Sequence, residues 1–199
     1  MATYVFSDVH GHAAPLARAI EKIAPADDDV FYCLGDMIDR GPDPLGVISI
    51  VRSLPNVHVL MGNHEDLMMA CMLEPEGELD AINAANWGIN GGIVTSEALA
   101  GLSEDEADEI VAWVASLPRC AHVTVGERPY LLVHAGIDPS AVTVEGPWDD
   151  QRLDALLAEQ SPDDLLWIRE GFWGSHTGLV DAEGKGPIVI AGHTPTPYL

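Results

Sequence analysis

The chain has 199 residues, 47% of them hydrophobic, which is enough to bury a sizeable core as one domain spanning 1–199. With 32 acidic residues against 9 basic ones, its formal net charge of -23 repels nucleic acid and anionic membrane, so neither is expected as a partner. No stretch approaches the ~18 apolar residues needed to span a bilayer, and three widely spaced cysteines, Cys33, Cys71 and Cys120, fit a soluble protein of the reducing cytoplasm better than a disulfide framework.

In chain order, Thr3 to Ser7 reads as a first strand that runs into Asp8-Val9-His10-Gly11, where an Asp and a His two residues apart point the same way, as a pair of metal ligands must. Ala14 to Ala24 carries Leu16, Ile20 and Ile23 at helical spacing and leads to a second strand, Val30 to Leu34, so the first unit is β-α-β with parallel strands. That strand delivers Gly35-Asp36-Met37-Ile38-Asp39-Arg40-Gly41, two glycines bracketing two carboxylates and a guanidinium. One carboxylate can bridge two metal ions, the other can orient an imidazole, and the arginine can hold a phosphate oxygen.

Pro44 to Leu54 is expected to be a helix, and Val57 to Met61 a third strand ending in Gly62-Asn63-His64-Glu65. Here Asn63 offers a neutral oxygen ligand and His64 is free for proton transfer. A short helix over Leu67 to Leu73 places Met68, Met69 and Met72 as core filling. The run Asn86 to Gly92 is expected to break regular structure within a helical and loop insertion over about 66–118. Ser103 to Glu106 is a capping box that opens a further helix stopped by Pro118. Beyond it come a hairpin of His122–Val125 and Tyr130–Val133 ending in His134-Ala135-Gly136, helices over 149–159 and 163–169, and a last strand, Ile188 to Ala191, ending in Gly192-His193-Thr194. Arg169 at the end of the second of those helices could be an ordinary surface cation favoured by the helix dipole.

Five strands are thus each followed at once by potential ligands. In α/β sheets such residues meet in the crevice beyond the strand carboxyl ends, so Asp8, His10, Asp36, Asn63, His134 and His193 can converge although far apart in sequence.

The five blocks, in this order over essentially the whole chain, resemble the calcineurin-like metallophosphoesterases, and more closely their short bacterial serine/threonine phosphoprotein phosphatases. The resemblance implies an α/β fold, a four-layer α/β/β/α sandwich with a dinuclear metal site at the strand C-terminal ends. It assigns Asp8, His10 and Asp36 to the first divalent ion, and Asp36, Asn63, His134 and His193 to the second. It makes His64 the proton donor to the leaving oxygen with Asp39 holding its ring, and Arg40 and Arg169 the phosphate-binding arginines. Imidazole, carboxylate and amide ligands suit Mn first, then Fe or Zn, and exclude a thiolate site.

The expected activity is hydrolysis of phosphomonoesters by in-line attack of water, on a phosphoprotein or a small phosphoester. A phosphoserine or phosphothreonine protein is preferred because a polyphosphate would call for several more cations than nine basic residues offer. The alternative is symmetrical cleavage of diadenosine tetraphosphate, and a non-catalytic interaction scaffold is a third reading, disfavoured because His64 is retained. Family members continue past the Gly-His-Thr turn with strands that close the second sheet, which this chain does not show.

Overall fold

The apolar run Val30–Cys33 forms strand β2, and Phe31, Tyr32 and Cys33 are buried, as a strand covered on both faces requires. In the computed structural model, which describes residues 1–72, 78–143, 146–180 and 184–195, the chain falls into two compact units, Met1–Leu117 and Pro118–Leu199. In the first unit β2 lies between β1 (Thr3–Phe6) and β3 (Val57–Val59), all parallel, with Tyr4 opposite Phe31 and Tyr32 opposite His58. The β-α-β expectation holds, and each strand is shorter than its apolar run because the residues after it turn into functional loops.

Six helices are described in this unit: α1 (Ala13–Ile23), α2 (Pro44–Ser53), α3 (Asn63–Met72), α4 (Glu78–Trp87), α5 (Ile93–Ala100) and α6 (Glu104–Ala115). Their starts are legible chemistry. Asp43 caps α2 by accepting from the Gly46 N–H, with Pro44 in the first turn, and Ser103 and Glu106 close a reciprocal capping box on α6. Cys33, Val47, Val51, Met68, Trp87 and Val114 fill the core, so the methionines and Cys33 pack as expected.

Two local expectations are corrected. Helix α3 begins at Asn63 rather than Leu67, because the Glu65 side chain reaches back to the Gly62 N–H and caps the helix where no hydroxyl marks a start; its expected end, Leu73, lies outside the described residues. The Asn86–Gly92 run does interrupt the helix as expected, since α4 and α5 meet at a kink in Gly88–Gly92, where Gly91 leaves helical angles at φ 103°. Asp8 and His10 are not in extended backbone, because β1 ends at Phe6 and both take left-handed φ, 56° and 44°.

The second unit holds β4 (Cys120–Val125) and β5 (Arg128–Val133) as the expected antiparallel hairpin, with β6 (Ile188–Ile190) parallel to β5. Its core gathers Leu131, Val133 and Ile137 with Leu153, Leu156 and Leu157 of α7 (Asp150–Ala158) and Leu165 of α8 (Pro162–Trp167). Arg169 directly follows Ile168, the C-cap of α8, and precedes the short α9 (Glu170–Trp173), so the expected helix to 169 ends two residues earlier.

Beyond the first sheet the two ligand-bearing loops pair by backbone hydrogen bonds: Asp8 N–H to Gly35 O (3.1 Å), His10 N–H to Asp36 O (2.9 Å) and Gly11 N–H to Met37 O (2.8 Å). Gly35 makes this possible, at φ 97° and against the Gly62 backbone, where a Cβ would collide. Replacing Gly35 by Ala should cost about 2–4 kcal/mol in urea denaturation, combining left-handed strain with overpacking. Gly178→Ala, at φ 72° in open space, should cost only about 1 kcal/mol. Equal losses at the two positions would refute the close-approach explanation.

Candidate metal centre and proton donor

The loop that carries Asp36 is held from below by Glu65, which is fully buried in the first turn of α3. Its Oε2 accepts from the N–H groups of Asp36 (2.8 Å) and Gly62 (2.9 Å), and its Oε1 from that of Met37 (2.8 Å). Burial and the neighbouring Asp36 carboxyl push the Glu65 acid up to about 7, against the pull of those backbone donors. Asp36 is likewise pushed up to about 7, mainly by burial, with the His64 ring acting in the opposite direction.

Asp36 Oδ1 accepts from the His64 backbone N–H at 3.0 Å. Its Oδ2 faces two imidazole nitrogens, His10 Nε2 at 3.5 Å and His64 Nε2 at 4.0 Å. The tautomers follow from the partners. His10 Nδ1 lies 3.1 Å from Ile38 O, which can only accept, and His64 Nδ1 lies 2.7 Å from Asp39 Oδ2. Both Nε2 lone pairs therefore point inward, where the Arg40 guanidinium donates to each, at 2.8 Å and 2.9 Å. An imidazole whose far nitrogen donates to a carbonyl or carboxylate, with its near lone pair beside a buried carboxylate, is oriented as metal-binding histidines are. Burial, reinforced by Arg40, lowers His10 to about 4, so its ring is neutral and ready to ligate at ordinary pH.

One ligand atom from each of His10, Asp36 and His64 lies within 4.8 Å of the others. The two rings differ in their second partners, His10 being tied to a neutral carbonyl and His64 to a carboxylate. Asn63 is buried beside His64, and Asp8 adds to the rise of the Asp36 acid. The first unit thus brings together Asp8, His10, Asp36, Asp39, Arg40, Asn63 and His64.

In the second unit, His134 follows β5 and His193 follows β6, both buried, with His134 Nε2 3.2 Å from His193 Nδ1 and the Gly192 N–H bonded to His134 O. Arg169 reaches this pair, its Nη1 lying 3.5 Å from His193 O and 3.4 Å from Thr194 Oγ1.

Sequence reasoning left Trp87 and Thr95 without a role, yet both bond Asp39, the indole N–H to Oδ2 at 2.9 Å and the hydroxyl to Oδ1 at 2.6 Å. Glu65 was visible only as the last residue of its block.

A model of the calcineurin-like phosphoesterase family matches residues 1–199. The chain belongs to that family. Among curated relatives, the symmetrical bis(5'-nucleosyl)-tetraphosphatase of Erwinia tasmaniensis is 30% identical over 162 residues, covering 80% of this chain and 50% of that protein. The protein of the same name from Dechloromonas aromatica is 31% identical over 183 residues, covering 88% and 57%. The chain spans about half the length of the curated relatives it matches. A crystal structure of a protein with a provisional assignment as a diadenosine tetraphosphatase aligns with a TM-score of 0.50 at 17% identity, over 84% of this chain and 63% of the other. The expected α/β metallophosphoesterase fold, with two sheets, is what the chain has. No helix among the described residues is long and apolar enough to cross a membrane.

Because Asp36 and Glu65 sit near 7 and His10 near 4, uptake of a divalent ion between about pH 5 and 7 must displace protons from the carboxyls and not from His10. Affinity of the metal-free chain for a divalent ion should therefore rise through that range and level off above it. Calorimetric titration in buffers of different ionisation enthalpy reads the released protons; affinity independent of pH over this interval would contradict the assignment.

Proposed function

We propose that this chain hydrolyses phosphoesters with two divalent metal ions, and that its substrate is a dinucleoside polyphosphate. The observation that carries the hydrolytic reading is the Asp36 carboxylate facing two imidazole lone pairs, one ring backed by a carbonyl and the other by a carboxylate. On this reading Asp8, His10 and Asp36 hold one ion, and Asp36, Asn63, His134 and His193 hold the other. Bound ions supply Lewis-acid polarisation of the phosphoryl oxygens and a more acidic water, and Mn is the ion that best suits the ligand set, ahead of Fe and Zn.

The remaining work falls to side chains. Arg40 offers a planar pair of donors that fits two phosphoryl oxygens once they take the place of the imidazole lone pairs, and Arg169 provides a second cation. His64, as the imidazolium protonated on both nitrogens, gives its Nε2 proton to the leaving oxygen as the P–O bond breaks, and keeps its Nδ1–H donated to Asp39 throughout.

On substrate, the expectation of a phosphoprotein rested on the shortage of cations, and the relatives favour the alternative, since those at 30% and 31% identity carry the name of symmetrical tetraphosphatases. A phosphoserine or phosphothreonine protein is kept as the second reading, on the count of 9 basic residues. The three cysteines form no disulfide, which suits a cytoplasmic setting.

Turnover of diadenosine tetraphosphate, a phosphopeptide and an aryl phosphate should be compared on metal-reconstituted protein. The tetraphosphate should be preferred and split into equal halves; preference for the phosphopeptide would restore the second reading, and no turnover of any of the three would end the hydrolytic one. Chelation should abolish activity, with two ions per chain needed to restore it. His64→Asn should keep both ions and lower kcat by about 10²- to 10⁴-fold. Loss of metal from that variant would make His64 a ligand.

A further inference from the structure

Asp39 is fully buried, yet three side-chain donors converge on its carboxylate from three places in the chain. His64 Nδ1–H and Trp87 Nε1–H share Oδ2, at 2.7 Å and 2.9 Å, and the Thr95 hydroxyl donates to Oδ1 at 2.6 Å. The Thr95 oxygen also accepts from the Asp39 backbone N–H at 3.0 Å, so one hydroxyl fixes both ends of the residue. Trp87 and Thr95 are themselves 5% and 1% exposed, which leaves water little access to loosen these bonds.

The two residues flank the kinked glycine segment Gly88–Gly92 that joins α4 to α5. Gly92 lies flat against the Trp87 indole, where a Cβ would collide with the ring. The same segment bonds the next residue along, with Arg40 N–H to Gly91 O at 3.1 Å and Arg40 Nε to Asn90 O at 3.4 Å. A sharp helix kink has an identifiable cause, here Gly91 at φ 103°. Here it brings an indole and a hydroxyl onto one carboxylate while cradling the neighbouring arginine.

We infer that Trp87 and Thr95 are positioning residues for the proton donor: they fix the plane of the Asp39 carboxylate, and through it the direction in which His64 presents Nε2. Resting on the hydrolytic reading above, the step runs as follows. The ring enters as the imidazolium, having taken a proton from solvent on Nε2; that proton moves to the leaving oxygen as the P–O bond breaks, and the ring is left as the neutral Nδ1–H tautomer set by Asp39. A carboxylate held only by His64 could rotate about its own side-chain bonds and carry the ring with it. With Oδ1 tied to Thr95 and the second lone pair of Oδ2 tied to Trp87, it cannot. A misaimed Nε2 matters most where the leaving oxygen needs its proton.

The test uses the full chain, metal-reconstituted, with an alkyl phosphate and a dinitrophenyl phosphate as probes, in wild type, Thr95→Val, Thr95→Ser and Trp87→Phe. Thr95→Val keeps the shape and removes the hydroxyl. It should lower kcat on the alkyl ester by about tenfold while changing the dinitrophenyl ester by less than about twofold, because a good leaving group needs little protonation. KM should change little, Thr95→Ser should stay near wild type, and Trp87→Phe should follow Thr95→Val. Equal losses on both esters, or serine as damaging as valine, would overturn the inference and leave a structural role. A second arm does not depend on turnover: the downfield proton resonance of His64 Nδ1–H in metal-free protein should shift upfield in Thr95→Val and be retained in Thr95→Ser. A resonance that does not move overturns the positioning role whatever the activity. A wild type that hydrolyses neither ester, with the resonance behaving as expected, counts against the hydrolytic reading and not against the geometry.

Discussion

The Glu65 carboxylate accepts backbone N–H groups from Asp36, Met37 and Gly62, and the rest of the first unit's chemistry depends on that clip. It caps α3, which sets Asn63 and His64 in a helical first turn, and it ties that turn to the loop after β2. Asp36 is then fixed from both sides, with its backbone held by Glu65 and its Oδ1 held by the His64 N–H. Its Oδ2 faces His10 and His64. A buried acid that spends its acceptor capacity on backbone donors specifies geometry; it is an unusual way to fix a loop, because burial of a carboxylate is costly unless every lone pair is answered.

Charge in this unit is sorted by depth. Asp36, Asp39 and Glu65 are buried, while Arg40, the cation nearest them, is exposed and reaches inward with its guanidinium. Three carboxyl groups, two imidazoles and one guanidinium therefore lie close together, and burial raises Asp36 and Glu65 and lowers His10. Both shifts favour neutral side chains in metal-free protein. Both are also reversed most easily by a divalent cation, which stabilises a carboxylate and takes a neutral imidazole as ligand. The overall charge of -23 is a separate matter and belongs to the surface.

The strands and the loops that follow them were legible in the sequence because each rests on local signals: an apolar run, then a turn carrying polar residues. The parallel pairing of β1, β2 and β3 and the β4–β5 hairpin follow from such signals. Other features were not local. The start of α3 depends on a side chain capping backward onto a glycine, where no Ser, Thr or Asp marks the cap. Asp8 and His10 adopt left-handed backbone in a loop bonded to Gly35, Asp36 and Met37, 26 or 27 residues on, so period-two alternation could not aim their side chains. Trp87 lay in a run expected to break regular structure and Thr95 was given no role, since their partner Asp39 is 48 and 56 residues away. The glycines Gly88, Gly91 and Gly92 suggested a break and a kink is what they form; that Trp87 and Thr95, on either side of it, meet one carboxylate is a long-range outcome.

At the centre of this account are two imidazoles facing one carboxylate, one ring meant for a metal ion and one for a proton. Nitrogen-15 spectra of the metal-free chain and of the chain titrated with Zn²⁺ test it most directly. Before metal, both His10 and His64 should show the Nδ1–H tautomer set by Ile38 O and Asp39. On titration, the His10 Nε2 resonance should take on the shift of a metal-bound nitrogen while His64 Nε2 remains that of an uncoordinated ring. An Nε2–H tautomer at either histidine before metal, or zinc bound to His64 in place of His10, would contradict it.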